Sequence, residues 1–143
     1  MSVIKAVIFD MDGVIIDSYQ RMNITLFDIN NEKIAVVDAD NSLISSAQNA
    51  LELLMNCNYN YDTAKIILRE EHFSSDFFDL KTKLAGEILQ KFSTYNGYLA
   101  IVGDFTKYTS SSLKDFIKES NRFKRINFVA SREEAFRVLT TSF

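Results

Sequence analysis

The chain has 143 residues, 47% of them hydrophobic, a formal net charge of −3, one cysteine and no proline or tryptophan. A domain near this size buries roughly two-thirds of its unfolded surface, so it needs neither disulfide nor metal staples, and the lone Cys57 excludes an intrachain disulfide framework. No apolar run approaches the ~18 residues of a membrane span, and Lys5, Asp10 and Asp12 interrupt the N-terminal apolar stretch; these features exclude a membrane span and a signal-peptide core, and a soluble, cytoplasmic protein is expected.

In chain order, Val3 to Phe9 is an apolar run delivering Asp10 and Asp12 at its end. Ser18 to Met22 is polar and reads as a junction, dividing the chain into residues 1–21 and 22–143. Ile24 to Ile29 and Lys33 to Asp38 flank the polar turn Asn30-Asn31-Glu32 and predict a hairpin. Leu43, Ala47, Ala50, Leu51 and Leu54 recur at helical spacing within Ser42 to Asn56, with Asp40 to Ser42 available as cap. Ala64 to Arg69 reads as a buried strand. Ser75 or Asp76 then opens a long predicted helix whose stripe runs through Phe77, Leu80, Leu84, Ile88 and Phe92. Tyr98 to Phe105 is a strongly apolar strand, Ser110 to Ser120 a helix, and Ile126 to Ala130 a last strand; Ser131 with Glu134 forms a capping box for a closing helix through Leu139.

From Met22 this order predicts an α/β domain: a mostly parallel sheet with an antiparallel N-terminal hairpin strand and about four helices. The element order is similar to that of STAS domains, the fold of bacterial anti-sigma-factor antagonists. Val3 to Phe9 is too apolar to stay in water and too short to fold alone, and it is expected either to add to an exposed edge of this sheet or to promote association. The alternative, a central strand carrying Asp10 beside Asp104, belongs to an enzyme reading.

That reading rests on Phe9-Asp10-Met11-Asp12-Gly13-Val14-Ile15-Ile16-Asp17-Ser18, which resembles the first signature of the haloacid-dehalogenase phosphatases. The resemblance implies Asp10 as the nucleophile that forms an aspartyl-phosphate, and Asp12 as general acid and base, with its carbonyl beside Asp10 on Mg²⁺. Asp104, in Val102-Gly103-Asp104-Phe105, imitates the start of that family's last acidic station, so the implied metal set is Asp10, Asp12 and Asp104. The rest of the pattern is missing. Phe105, Lys107 and Tyr108 stand where the second acid is needed, and no strand ending in Ser or Thr with a following Lys comes before Asp104. The expectation is a fragment of a phosphatase gene fused to another domain, without a cofactor; Mg²⁺-dependent phosphomonoester hydrolysis is the alternative.

Phe77-Phe78-Asp79-Leu80-Lys81-Thr82-Lys83-Leu84-Ala85-Gly86-Glu87-Ile88-Leu89-Gln90-Lys91-Phe92 and Leu99-Ala100-Ile101-Val102-Gly103-Asp104-Phe105 resemble two hallmark blocks of a small bacterial family, domain of unknown function 4180. The resemblance implies a compact α/β module and lends no activity, so function has to be argued from sites.

Two strand ends invite that argument. His72, Ser74, Ser75 and Asp76 lie where STAS proteins place a phosphorylatable Ser or Thr, at the expected start of the long helix, although the Asp76 carboxylate would repel a phosphate. Asp104, Lys107, Tyr108, Thr109 and Ser110 to Ser112 form the most polar strand end, and Lys107 makes this the favoured anion site. The candidates are therefore Ser74, Ser75, Lys107, Thr109 and Ser110. Gly86 interrupts a helix and suggests close packing against the sheet or a dimer seam. Residues 101–143 are net basic, but Lys107, Lys114, Lys118, Arg122, Lys124, Arg125, Arg132 and Arg137 mostly interleave with acids on helix faces, which argues for solvated surfaces over nucleic-acid binding. The expected partner is another protein, a second copy of the chain or a small anionic ligand, and neither a membrane nor nucleic acid.

Overall fold

The computed structural model describes residues 6–10, 22–40 and 42–140. Its order is β1 (Ala6–Asp10), β2 (Met22–Ile29), β3 (Glu32–Ala39), α1 (Ala47–Tyr61), β4 (Lys65–Arg69), α2 (Leu84–Thr94), β5 (Tyr98–Val102), α3 (Ser111–Phe123), β6 (Ile126–Val129) and α4 (Arg132–Thr140), with 3-10 turns at Glu70–His72, Ser75–Phe78, Leu80–Thr82 and Phe105–Lys107. The six strands form one sheet in chain order. β1–β2 and β2–β3 are antiparallel, and β3 to β6 run parallel.

The hairpin forms as its sequence predicts. Asn30 and Asn31 both take positive φ, 54° and 67°, the conformation that two-residue turns need to match the twist of their strands. Strand alternation then sorts side chains to two faces. Ile24, Val37, Ile66, Leu68, Leu99, Ile101 and Phe128 join Leu53, Leu54, Ile88 and Phe92 of α1 and α2, with Phe116 and Ile117 of α3 packed alongside. Ile34, Ile67, Ala100 and Val129 meet Ala135 and Leu139 of α4 on the other face. Every helix that links parallel strands therefore lies on one side, and the chain changes face only after β6.

β1 occupies the outer edge against β2, with Ala6 opposite Phe27 and Asp10 opposite Asn23. It is an edge strand and not a central one. The helix of residues 42–56 is displaced: Ser46, not Asp40 to Ser42, is the N-cap of α1, and its hydroxyl accepts from Asn49 N–H. β5 ends at Val102, short of Phe105.

The largest departure is the long helix expected from Ser75. Asp79 is extended, Lys83 is left-handed at φ 67°, and α2 begins only at Leu84. Side chains compete with the helical backbone here: Thr82 Oγ1 donates to the carbonyls of Asp76 and Asp79, and Asp79 accepts from Lys81 N–H. The apolar stripe survives because Phe77 and Leu80, three residues apart, also suit successive 3-10 turns. Gly86 does not pack against the sheet. A Cβ added there would meet nothing within 4 Å, so no element among the described residues presses on it.

Candidate binding site at the carboxyl end of the sheet

The carboxyl ends of β3, β4, β5 and β6 share one edge of the sheet, where open α/β folds place ligands. Two polar networks close most of it. In the first, an Arg69 guanidinium nitrogen lies 2.8 Å from Asp38 Oδ1, and Arg69 Nε lies 3.2 Å from Glu71. The fully buried His72 accepts the Arg69 backbone N–H at Nδ1, 3.0 Å away, which places the proton of the neutral ring on Nε2. Nε2 has no hydrogen-bond partner, and Asp38 Oδ1 is 3.6 Å away. Burial, and then the Arg69 charge, lower the His72 pKa against the opposing pull of Asp38 and Glu71. Its backbone carbonyl ties two loops together by accepting from Leu43 and Ile44 N–H and the Ser42 hydroxyl. His72 is thus a neutral internal brace, closed to any substrate.

In the second network, Glu70 accepts from the Tyr108 hydroxyl at 2.5 Å and from Asp104 N–H at 3.3 Å, and it pairs with Lys107 Nζ at 2.6 Å. Burial alone would raise the Glu70 pKa, but the hydrogen bonds from Lys107 and Tyr108 outweigh it and hold the carboxyl below its ordinary value. Burial and the bond to Glu70 raise the Tyr108 hydroxyl. The Tyr108 ring stacks on Phe78, 5.0 Å between centroids, and this pins the loop after β5 over the 3-10 turns. Gly103 makes the approach possible, since a Cβ there would lie 2.7 Å from Glu70 Cβ.

What stays open is a groove of about 550 Å³ between α3 and the start of α4, at the ends of β5 and β6. It sits where the chain changes sheet face, the nearest equivalent in this fold to a topological switch point. Ile117, Phe128 and Val129 give it apolar walls, and Lys114 and Lys118, one helical turn apart on α3, stand along it. Among the described residues neither ammonium is engaged in an ion pair or side-chain hydrogen bond, in contrast to Arg69 and Lys107. The two carboxylates on the far side are occupied: Glu134 accepts from Ala130 N–H and lies 3.5 Å from Arg137, and Asp104 accepts from both the backbone and the hydroxyl of Thr106. Those two bonds from Thr106 lower the Asp104 pKa.

The residues singled out in the sequence fare unevenly. Ser75 starts a four-residue 3-10 turn, so no long helix presents its positive end there, and the buried Ser74 hydroxyl has no partner. Ser110 is spent on capping α3 through Leu113 N–H, and exposed Thr109 precedes it. Lys107, expected beside an open anion site, is paired with Glu70. In the sequence Lys114 and Lys118 read as parts of solvated helix faces and Glu70 carries no signal; the i,i+4 lysine pair on a helix following the polar strand end is the one pattern that points to this groove. Asp10 ends β1, four strands from β5, which at ~4.8 Å per strand separates its backbone from that of Asp104 by on the order of 19 Å. Asp12 lies outside the described residues. Among the described residues, no three His, Cys, Asp or Glu side chains are grouped to hold a metal ion, and no helix is long and apolar enough to cross a membrane.

Neither a curated protein nor a solved structure matches the chain. A family model described as a domain of unknown function, DUF4180, matches residues 29–139, a span from the end of β2 to α4. The chain belongs to the DUF4180 family.

Proposed function

We propose that this chain is a small binding or regulatory module that acts by recognition and not by chemistry, taking an anionic ligand in the groove between α3 and α4. The ligand class is a phosphoryl group on a compact apolar body. Two point-charge ammoniums suit a dianion, and the Ile117, Phe128 and Val129 walls suit the body. The observation that carries the reading is the contrast in pairing: at this edge Arg69 and Lys107 are neutralised within the chain, whereas among the described residues Lys114 and Lys118 have no such partner. The buried neutral His72 and the fully engaged Glu70 leave no group poised as base or nucleophile within the two networks. The element order supports the STAS likeness, and the motif at Asp10 and Asp12 is consistent with a phosphatase-derived remnant on a cytoplasmic protein.

An NMR titration of the full chain with phenyl phosphate tests the site. Shifts should cluster at Lys114, Ile117, Lys118 and Phe128, and the double variant Lys114→Ala, Lys118→Ala should bind at least tenfold more weakly. Shifts centred on Asp10 to Gly13, or unchanged affinity in the double variant, would overturn the assignment.

A further inference from the structure

On the opposite sheet face, α4 covers the later strands and leaves a cleft of about 300 Å³ over β2, β3 and β4. Thr25, Phe27, Val36 and Ile67 form its walls, and two arginines from different elements face it, Arg69 at the end of β4 and Arg132 at the start of α4. The Arg132 guanidinium lies over the Phe27 ring at 5.3 Å and the Phe136 ring at 5.7 Å, and those rings meet edge to face at 5.0 Å. The rings hold the guanidinium at the cleft, and among the described residues no carboxylate or carbonyl takes up its N–H donors. Arg69 borders the cleft but is held by Asp38 and Glu71, and its Nε is buried 3.2 Å from Glu71.

A guanidinium seated against two aromatic rings, with its fork of donors unused among the described residues, suits a planar oxyanion. The charges decide which kind. Asp38 and Glu71, 2.8 and 3.2 Å from Arg69, offset that charge, so Arg132 is the cation of the cleft that has no carboxylate partner among the described residues. This favours a monoanion over a dianion. The apolar walls and the small volume, at the lower end of ligand pockets, call for a compact hydrophobic body. We infer that the cleft between Arg69 and Arg132 binds a small planar monocarboxylate with an apolar or aromatic body, at a site separate from the α3 and α4 groove.

The test is an NMR titration of the full chain with benzoate, with uncharged benzamide as control. Benzoate should shift the amides of Thr25, Phe27, Val36 and Ile67 and the Arg132 side chain, and benzamide should not. Arg132→Gln should weaken binding at least tenfold, and Arg132→Lys, which keeps the charge but loses the fork, should restore only part of it. The double variant Lys114→Ala, Lys118→Ala should leave benzoate binding unchanged, so failure of one site is distinguishable from failure of the other. Arg132→Lys carries the comparison if Arg132→Gln does not fold. Absence of benzoate shifts in the cleft, equal shifts with benzamide, or wild-type affinity in the Arg132 variants would overturn the inference.

Discussion

The side-chain amide of Asn121 makes both hydrogen bonds of a strand neighbour with Phe128: its Oδ1 accepts the Phe128 backbone N–H at 2.7 Å, and its Nδ2 donates to the Phe128 carbonyl at 3.2 Å. β6 is the outer strand on this side of the sheet, so a helix residue stands where another chain would otherwise pair. Asn121→Ala is expected to cost about 1–2 kcal/mol, from two bonds of roughly 1 kcal/mol each. It should also promote concentration-dependent association, visible by light scattering. A variant with wild-type stability that stays monomeric would contradict this role.

His72 is the chain's single histidine, so its imidazole resonances can be assigned directly. Its folded pKa is lowered by burial, so below the unfolded value of about 6.5 the unfolded chain binds a proton that the native ring refuses. Stability should therefore rise with pH and fall away as pH drops through ~6.5. The check is NMR titration beside melting curves from pH 7.5 to 5. A His72 that titrates at or above ~6.5 in the folded chain would contradict the buried neutral tautomer.

Glu70 contributes in a lower window. Its folded pKa is depressed, so its contribution is present above the unfolded value of ~4.3 and lost as pH falls through the folded value. The side chain is only 14% exposed and accepts one charged and one phenolic donor, so Glu70→Gln should cost about 1.5–3 kcal/mol at neutral pH. Tyr108→Phe should cost less, about 1 kcal/mol, and a double-mutant cycle should show the two to be coupled. Additive losses in urea melts would remove the network.

The glycines give a prediction of opposite signs. Gly86→Ala has open space around the new Cβ and should stabilise α2 by about 0.5–1 kcal/mol. Gly103→Ala drives a Cβ to 2.7 Å from Glu70 Cβ and should destabilise by about 1–3 kcal/mol. Thermal melts of both variants suffice; a destabilising Gly86→Ala would mean that an unseen surface packs there.

The parts of the fold legible in the sequence were those written as alternation or turn chemistry. Ile24 to Ile29, Asn30-Asn31 and Lys33 to Asp38 specify a hairpin, and the apolar runs at Lys65–Arg69 and Tyr98–Val102 specify buried parallel strands. The helix expected from Ser75 does not form, because spacing of three and four residues fits consecutive 3-10 turns as well as an α-helix, and Thr82 and Asp79 decide the matter through side-chain bonds. The site was less legible. Lys107 is a free cation in the sequence, and only the fold brings it to Glu70, 37 residues away, at 2.6 Å. Among the described residues Lys114 and Lys118 have no ion-pair partner, unlike Lys107, a property of tertiary placement that no local pattern encodes.

The claim that the chain binds without chemistry is tested most directly by incubating it with phenyl phosphate and Mg²⁺ and measuring phenol release alongside binding. The account predicts saturable binding lost in the Lys114→Ala, Lys118→Ala variant, with hydrolysis no faster than background. Mg²⁺-dependent phenol release that vanishes in Asp10→Asn and persists in the double lysine variant would contradict it and establish the phosphatase reading in its place.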